Sequence, residues 1–107
     1  MEEIVVFLDR AREDPRLGPL HISVYVAVLY TREKQRAAGP VQVSARRLMP
    51  LAKIRAFGPY HRAIRQLHEY GYLHYEPSYD ARYPSKVWFG EGKGSDGGAG
   101  RQRRYGG

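Results

Sequence analysis

Cysteine is absent from the 107-residue chain. That excludes a disulfide scaffold, a Cys-ligated zinc finger, an iron–sulfur site and a thiol nucleophile. Long hydrophobic runs are missing too. The longest, Ile22 to Tyr30, covers nine positions and is interrupted by Ser23, whereas a membrane-spanning helix needs about 20 apolar residues. The opening Met1-Glu2-Glu3 carries acids where a secretory signal carries Lys or Arg, so export is not expected. No internal repeat is visible. The length suits one compact domain rather than two, and the expectation is a small, soluble, cytoplasmic domain with no membrane partner.

Acidic residues are scarce in one particular place. The chain as a whole has 18 Lys/Arg against 11 Asp/Glu, a formal charge of +7. Residues 1–40 contribute nothing to that excess, with six basic and six acidic residues. Between Glu33 and Glu69 there is no acid at all, while Lys34, Arg36, Arg46, Arg47, Lys53, Arg55, Arg62 and Arg65 all fall there. The same segment carries a hydrophobic pattern, so the charge belongs to a folded surface of one sign and not to a disordered tail. Such a surface attracts a polyanion by Coulomb forces and counterion release.

Glycine is sparse until residue 90, and eight of the twelve glycines then follow, with Arg101-Gln102-Arg103-Arg104 near the end. Fixing glycine at that density costs backbone entropy that few apolar side chains there can offset. The sequence thus divides into a domain, 1–89, and a flexible Gly/Arg-rich tail, 90–107, which is either a basic arm or only a solubilising extension.

Within 1–89 the periods are readable. Ile4, Phe7, Leu8 and Ala11 recur at helical spacing and predict a helix over 2–13, broken by Asp14-Pro15 and Gly18-Pro19. The run Val24 to Val28 favours a strand by propensity. Ile22, Tyr25, Val26 and Leu29 nevertheless keep helical spacing without a turn residue, and the length predicts a central core helix over 20–37. Gly39-Pro40 ends it, and Val41-Gln42-Val43 is a short extended piece. Ser44 suits the N-cap of a helix over 44–53, with Leu48, Leu51 and Ala52 inward and Pro50 shortening or kinking it. Gly58-Pro59 fits the opening of a helix over 57–70, with Tyr60, Ala63, Ile64 and Leu67 on one face and Gly71 as its stop. Tyr72 to Glu76 and Lys86 to Phe89 read as the two strands of a hairpin. The fold class is therefore mainly α with a small β-hairpin.

The stretch Val43-Ser44, Leu48-Met49, Leu51, Lys53-Ile54, Tyr60-His61-Arg62, Leu67-His68-Glu69, Gly71-Tyr72, Tyr75 and Pro77-Ser78-Tyr79 resembles the small winged helix-turn-helix proteins of bacterial conjugative transposons and related mobile elements. Similar winged helices occur in plasmid replication initiators. The upstream Leu20-His21-Ile22-Ser23 is also similar, and the likeness covers roughly residues 1–89. The resemblance implies a winged helix-turn-helix that binds double-stranded DNA in the bacterial cytoplasm as a transcription regulator or accessory factor of a mobile element. Two departures stand out: Arg55-Ala56-Phe57-Gly58-Pro59 where relatives usually read Gly-Ser-Lys-Ser-Thr, and Arg46-Arg47 where they tend to carry acids.

The residues themselves support a DNA-binding reading. With Tyr60, Ile64 and Leu67 inward, His61, Arg62 and Arg65 project on the opposite face of helix 57–70. A helix fits the major groove, and Arg can pair with guanine O6 and N7. Arg55 and Phe57 lie in the turn and at the helix start, where base edges and thymine methyls are met; Phe57 equally suits a core plug. Arg46, Arg47 and Lys53 are expected over phosphates. Arg82 and Lys86, with Tyr83 at the hairpin tip, face a neighbouring backbone or minor groove. Tyr60 and Tyr72 read as core aromatics, and Tyr70, Tyr75 and Trp88 as residues closing the core beneath the hairpin.

Other chemistry finds less support. His61, His68 and His74 invite a metal site, but no carboxylate cluster or third convergent ligand accompanies them. No nucleophile–base pair, phosphate-cradling loop or paired carboxylates point to an enzyme, a cofactor or a small-molecule substrate. The alternatives are a winged-helix module that binds proteins instead of DNA, and RNA binding, for which no sheet motif presents the tyrosines. The apolar face of helix 2–13 either packs on the core or meets a second copy in a homodimer.

Overall fold

In the computed structural model, which describes residues 2–89, the first helix, α1 (Glu2–Ala11), opens on two acids whose charges suit the positive end of the helix dipole. The expected tail, 90–107, lies outside the described residues. Helix α1 stops two residues short of the predicted end, in a turn in which Asp14 N–H donates to the Ala11 carbonyl at 3.0 Å. Phe7 and Ala11 are buried and Ile4 is half-buried, but Leu8, expected inward, is exposed. It sits about 100° around the helix from Phe7, beyond the width of the face that packs.

Helix α2 (Pro19–Gln35) settles the strand-or-helix ambiguity in favour of the helix. Gly18 has no side chain to cap it, and His21 does so instead: its Nδ1 accepts from Gly18 N–H at 2.9 Å. That bond fixes Nε2 as the protonated nitrogen, and it donates to Gln66 Oε1 at 2.7 Å. The buried residues are Val24, Tyr25, Ala27, Val28 and Thr31, whereas Val26, predicted for the inner stripe, is exposed. The helix ends before Gly39-Pro40, because Arg36 adopts a left-handed conformation (φ 54°) and closes the last turn. Gln35 then holds the next strand, exchanging two hydrogen bonds with the Gln42 backbone.

Strand β1 (Val41–Val43) buries both valines and leads through Ser44, whose hydroxyl accepts from Arg47 N–H, into helix α3 (Ala45–Ala52). Pro50 is accommodated in the last turn, and Lys53 (φ 61°) terminates the helix in the left-handed conformation. Leu48 and Ala52 face the core. Leu51, expected with them, is exposed, since it lies about 100° from Ala52 on a flank that no other element covers. The Ser23 hydroxyl of α2 donates to the Ala52 carbonyl and ties the two helices together.

Helix α4 (Phe57–Glu69) buries Tyr60, Ala63, Ile64 and Leu67, the four residues its periodicity selects. Gly71, at φ 87°, turns the chain with a conformation that L side chains rarely adopt. Strands β2 (Leu73–Glu76) and β3 (Ser85–Phe89) form the hairpin, and β1 adds to its other edge. The sheet is antiparallel in the order β1-β3-β2, with Val87 buried at its centre between Val41 and Tyr75. The described chain is thus mainly helical with a small three-stranded antiparallel sheet, and α2 packs against α3, α4 and β1. No described helix is long and apolar enough to cross a membrane.

Candidate nucleic-acid interface

The burial of one face of α4 decides what the other can do. With Tyr60, Ile64 and Leu67 held in the core, Phe57, Gly58, Arg62 and Arg65 are exposed and His61 is half-buried. Phe57 is 59% exposed, so it does not plug the core. Its ring stacks on His61 with centroids 5.3 Å apart and planes 15° from parallel. At Gly58 a Cβ would meet nothing within 4 Å, so the fold itself does not require a glycine there; its absence of side chain leaves the helix backbone open to close approach.

Arg46 and Arg47 extend this surface from the first turn of α3, Lys53 from its end, and Arg55 from the turn between the helices. All four are exposed. Together with Arg62 they make five cations without an ion-pair partner among the described residues. Arg65 is loosely engaged, its guanidinium 4.0 Å from Glu69. Two of these cations, Arg46 and Arg47, stand at the positive end of α3, where helix dipoles favour acids. Like charges gathered at an unfavourable helix end gain nothing for the fold, and an incoming anion relieves them.

The hairpin borders the start of α4 across a cleft of about 710 Å³ lined by Phe57, His61, Tyr79, Arg82 and Tyr83 among others. Its loop is held from within. The Asp80 carboxylate accepts from Arg82 N–H at 3.0 Å and from the Arg82 guanidinium at 2.9 Å, and the Ser78 hydroxyl bridges to the Asp80 backbone. The two bonds from Arg82 hold the Asp80 carboxyl below its ordinary range, the Arg82 side chain contributing most. The charge of Arg82 is therefore offset within the loop, unlike those of Arg46, Arg47, Lys53, Arg55 and Arg62. Lys86 is exposed but lies in register between Gln42 and Glu76. Tyr83 is exposed on the returning arm of the loop, and Tyr79, at 95%, is the most exposed of the large hydrophobic side chains among the described residues. Tyr79 was not among the candidate contacts; the signal for it was an aromatic outside any strand alternation, in Pro77-Ser78-Tyr79.

The three histidines do not converge. His61 stacks on Phe57 at the start of α4, while His68 packs edge-on against His74, 4.9 Å between centroids, beneath the hairpin. His68 Nδ1 accepts from Tyr75 N–H at 3.0 Å. Burial lowers its pKa, with Arg65 adding to the effect and Glu69 opposing it. His68 thus joins α4 to β2 as a neutral ring. Among the described residues no group of three or more His, Asp or Glu side chains is placed to hold a metal ion.

No protein-family model matches the chain, and neither a curated protein nor a solved structure matches it.

Proposed function

We propose that the chain is a winged helix-turn-helix protein that binds double-stranded DNA with sequence preference. The observation that carries this reading is the set of five exposed, unpaired cations, Arg46, Arg47, Lys53, Arg55 and Arg62, on α3, α4 and the turn between them. A tight turn between two helices, followed by a hairpin whose outer edge pairs with an early strand, supports the fold assignment. In this reading α4 enters the major groove, where Arg62 and Arg65 read guanine edges and Phe57 meets a thymine methyl. Arg46, Arg47 and Lys53 hold phosphates and fix the register, while the β2–β3 loop, with Arg82, Tyr83 and Lys86, follows the adjacent backbone. A role in regulating, or assisting the transfer of, a mobile element accords with the sequence resemblance.

The test is a titration of labelled duplex DNA and of single-stranded RNA at two salt concentrations, followed by selection of a preferred duplex from a random pool. Duplex DNA should bind more tightly than the RNA, and the selection should converge on one sequence. Tighter binding to RNA, or no binding to either polymer, would overturn the proposal, the second result favouring a protein-interaction module.

A further inference from the structure

The cleft between the start of α4 and the β2–β3 loop is rimmed by rings that the core does not use. Phe57 is 59%, Tyr83 63% and Tyr79 95% exposed, and His61 forms a stacked pair with Phe57. Single exposed aromatics are ordinary on a protein surface, but four rings around one cleft make a patch of the kind that takes a ligand. Arg82 lies over the Tyr83 ring at 5.7 Å. Tyr79 meets no other ring and no cation among the described residues. The loop that presents these tyrosines is tied to itself. Ser78 N–H donates to the Ser85 hydroxyl at 3.0 Å, and Tyr83 N–H to the Asp80 carbonyl at 2.9 Å. Pro77 and Pro84 restrict the backbone at its two ends. Rings held in this way meet a ligand with little further ordering cost.

We propose that the cleft takes an unpaired base of a DNA strand, at the point where duplex gives way to single strand, and stacks it on Tyr79 and Tyr83. The inference rests on the DNA-binding reading of α3 and α4 and extends it to the form of the DNA. Two features select this ligand. A base inside a duplex has its faces covered by its neighbours, so open rings find a partner only in an unstacked base. The cleft is also approached by cations that have no ion-pair partner among the described residues. Arg46 and Arg47 follow the lining residue Ala45, Arg62 follows His61, and Arg55 lies two residues before Phe57. Asp80 is the one acid among the lining residues, and both of its oxygens accept from Arg82. Glu76, at the end of β2, lies in register with Lys86. This balance favours a strand with phosphates over a proline-rich peptide, which also docks on aromatic grooves but needs no such charge.

The test titrates the full chain, by fluorescence anisotropy at one salt concentration, with three DNAs. They are a blunt duplex, the same duplex with a tail of unpaired thymidines on either strand, and that duplex with a tail of abasic nucleotides. The two tails carry the same phosphates and differ only in the bases. The thymidine tail should bind about tenfold more tightly than the abasic one, as expected for stacking a base on an aromatic ring. Tyr79→Ala should remove most of that advantage and leave the affinity for the blunt duplex within about twofold. Tyr79→Phe, which keeps the ring and loses the hydroxyl, should retain the advantage. The side chain is almost wholly exposed, so neither variant should alter the circular-dichroism melt. Equal affinity for the two tails overturns the inference. So does an advantage that Tyr79→Ala leaves intact, or one that Tyr79→Phe loses, which would mark a hydroxyl contact with the backbone. In each of those cases, binding of the blunt duplex still supports the reading of α4. A blunt duplex that fails to bind, beside a thymidine tail that keeps its advantage, strikes that reading and supports the cleft. Failure of all three DNAs to bind overturns both, and binding of a proline-rich peptide in their place would identify the other occupant.

Discussion

Arginine plays opposite parts at the two ends of this molecule. Around α1 and α2, four arginines, Arg10, Arg12, Arg16 and Arg32, each have a partner. Arg16 lies 2.8 Å from the Asp14 carboxylate and over the Tyr70 ring; Arg32 pairs with Glu3 and covers Phe89; Arg10 sits over Tyr72; Arg12 meets Glu13. On α3 and α4, five cations have no such partner among the described residues. The difference follows from where the acids are. Residues 1–40 mix both signs evenly, and residues 34–68 contain one sign only. Paired arginines close the structure, and unpaired ones leave a field that reaches into solvent. The same residue type thus serves folding at one end and is available for binding at the other.

The largest expected effect lies at the folding end. Phe7 is buried and stacks on Tyr25, with its ring edge against Tyr72. Phe7→Ala should cost about 3–5 kcal/mol in urea unfolding. The milder Phe7→Leu, which keeps the chain folded, should leave the affinity for duplex DNA within about twofold, as expected for a site with no shared partners. A large loss of affinity in Phe7→Leu would erase the distinction between the two ends.

At the binding end the effect is smaller and moves to another observable. Arg62→Ala should cost about 1–3 kcal/mol on a preferred duplex and much less on its scramble, while the melting temperature hardly changes, because the side chain is exposed. Arg47→Ala should weaken both duplexes alike and lower the salt slope by about one. Titrations of each variant on both DNAs separate the two roles. Equal losses from both variants on both duplexes would mean that α4 does not read bases.

The smallest effect sharpens the boundary between the ends. His68 joins α4 to β2 by accepting from Tyr75 N–H, and burial lowers its pKa from the ordinary 6.5. The unfolded chain therefore binds this proton more readily than the folded one. Its contribution is complete above about 6.5 and is lost as pH falls through the lower folded value. Urea midpoints should drop between pH 7.5 and about 5.5, and His68→Gln should flatten that dependence. Asp14, held far below its ordinary 3.8 by Arg16 and by the Tyr72 hydroxyl at 2.6 Å, loses its contribution only in stronger acid. An unchanged pH dependence in His68→Gln would assign the drop to another group.

What was legible in the sequence was the local part of this arrangement. The inward set of α4 and the cap at Ser44 follow from spacing and residue type. The long apolar run of α2 was helical because it lacks a turn residue over a length no ordinary strand reaches. Side chains on the flanks of helices were misplaced: Leu8, Val26 and Leu51 fit an inward spacing but lie outside the width of the face that another element covers. Pairing of β1 with β3 was not foreseen, since a three-residue strand carries no sign of its register with residues more than 40 positions away. For the candidate site, charge counting selected the exposed cations of α3 and α4. It could not show that Arg82 is bound by Asp80 two residues earlier, a local hydrogen-bonded turn that composition does not reveal. Nor could it decide Phe57, whose place on the surface depends on Tyr60 filling the core beneath it.

The central claim, that the unpaired cations of α3 and α4 bind duplex DNA, is tested most directly by the salt dependence of that binding. Five cations neutralising about five phosphates give a slope of log K against log salt of roughly −4 to −5. A titration of the wild-type chain on one duplex at several salt concentrations should return that slope. Binding that persists with a slope near zero would contradict the account.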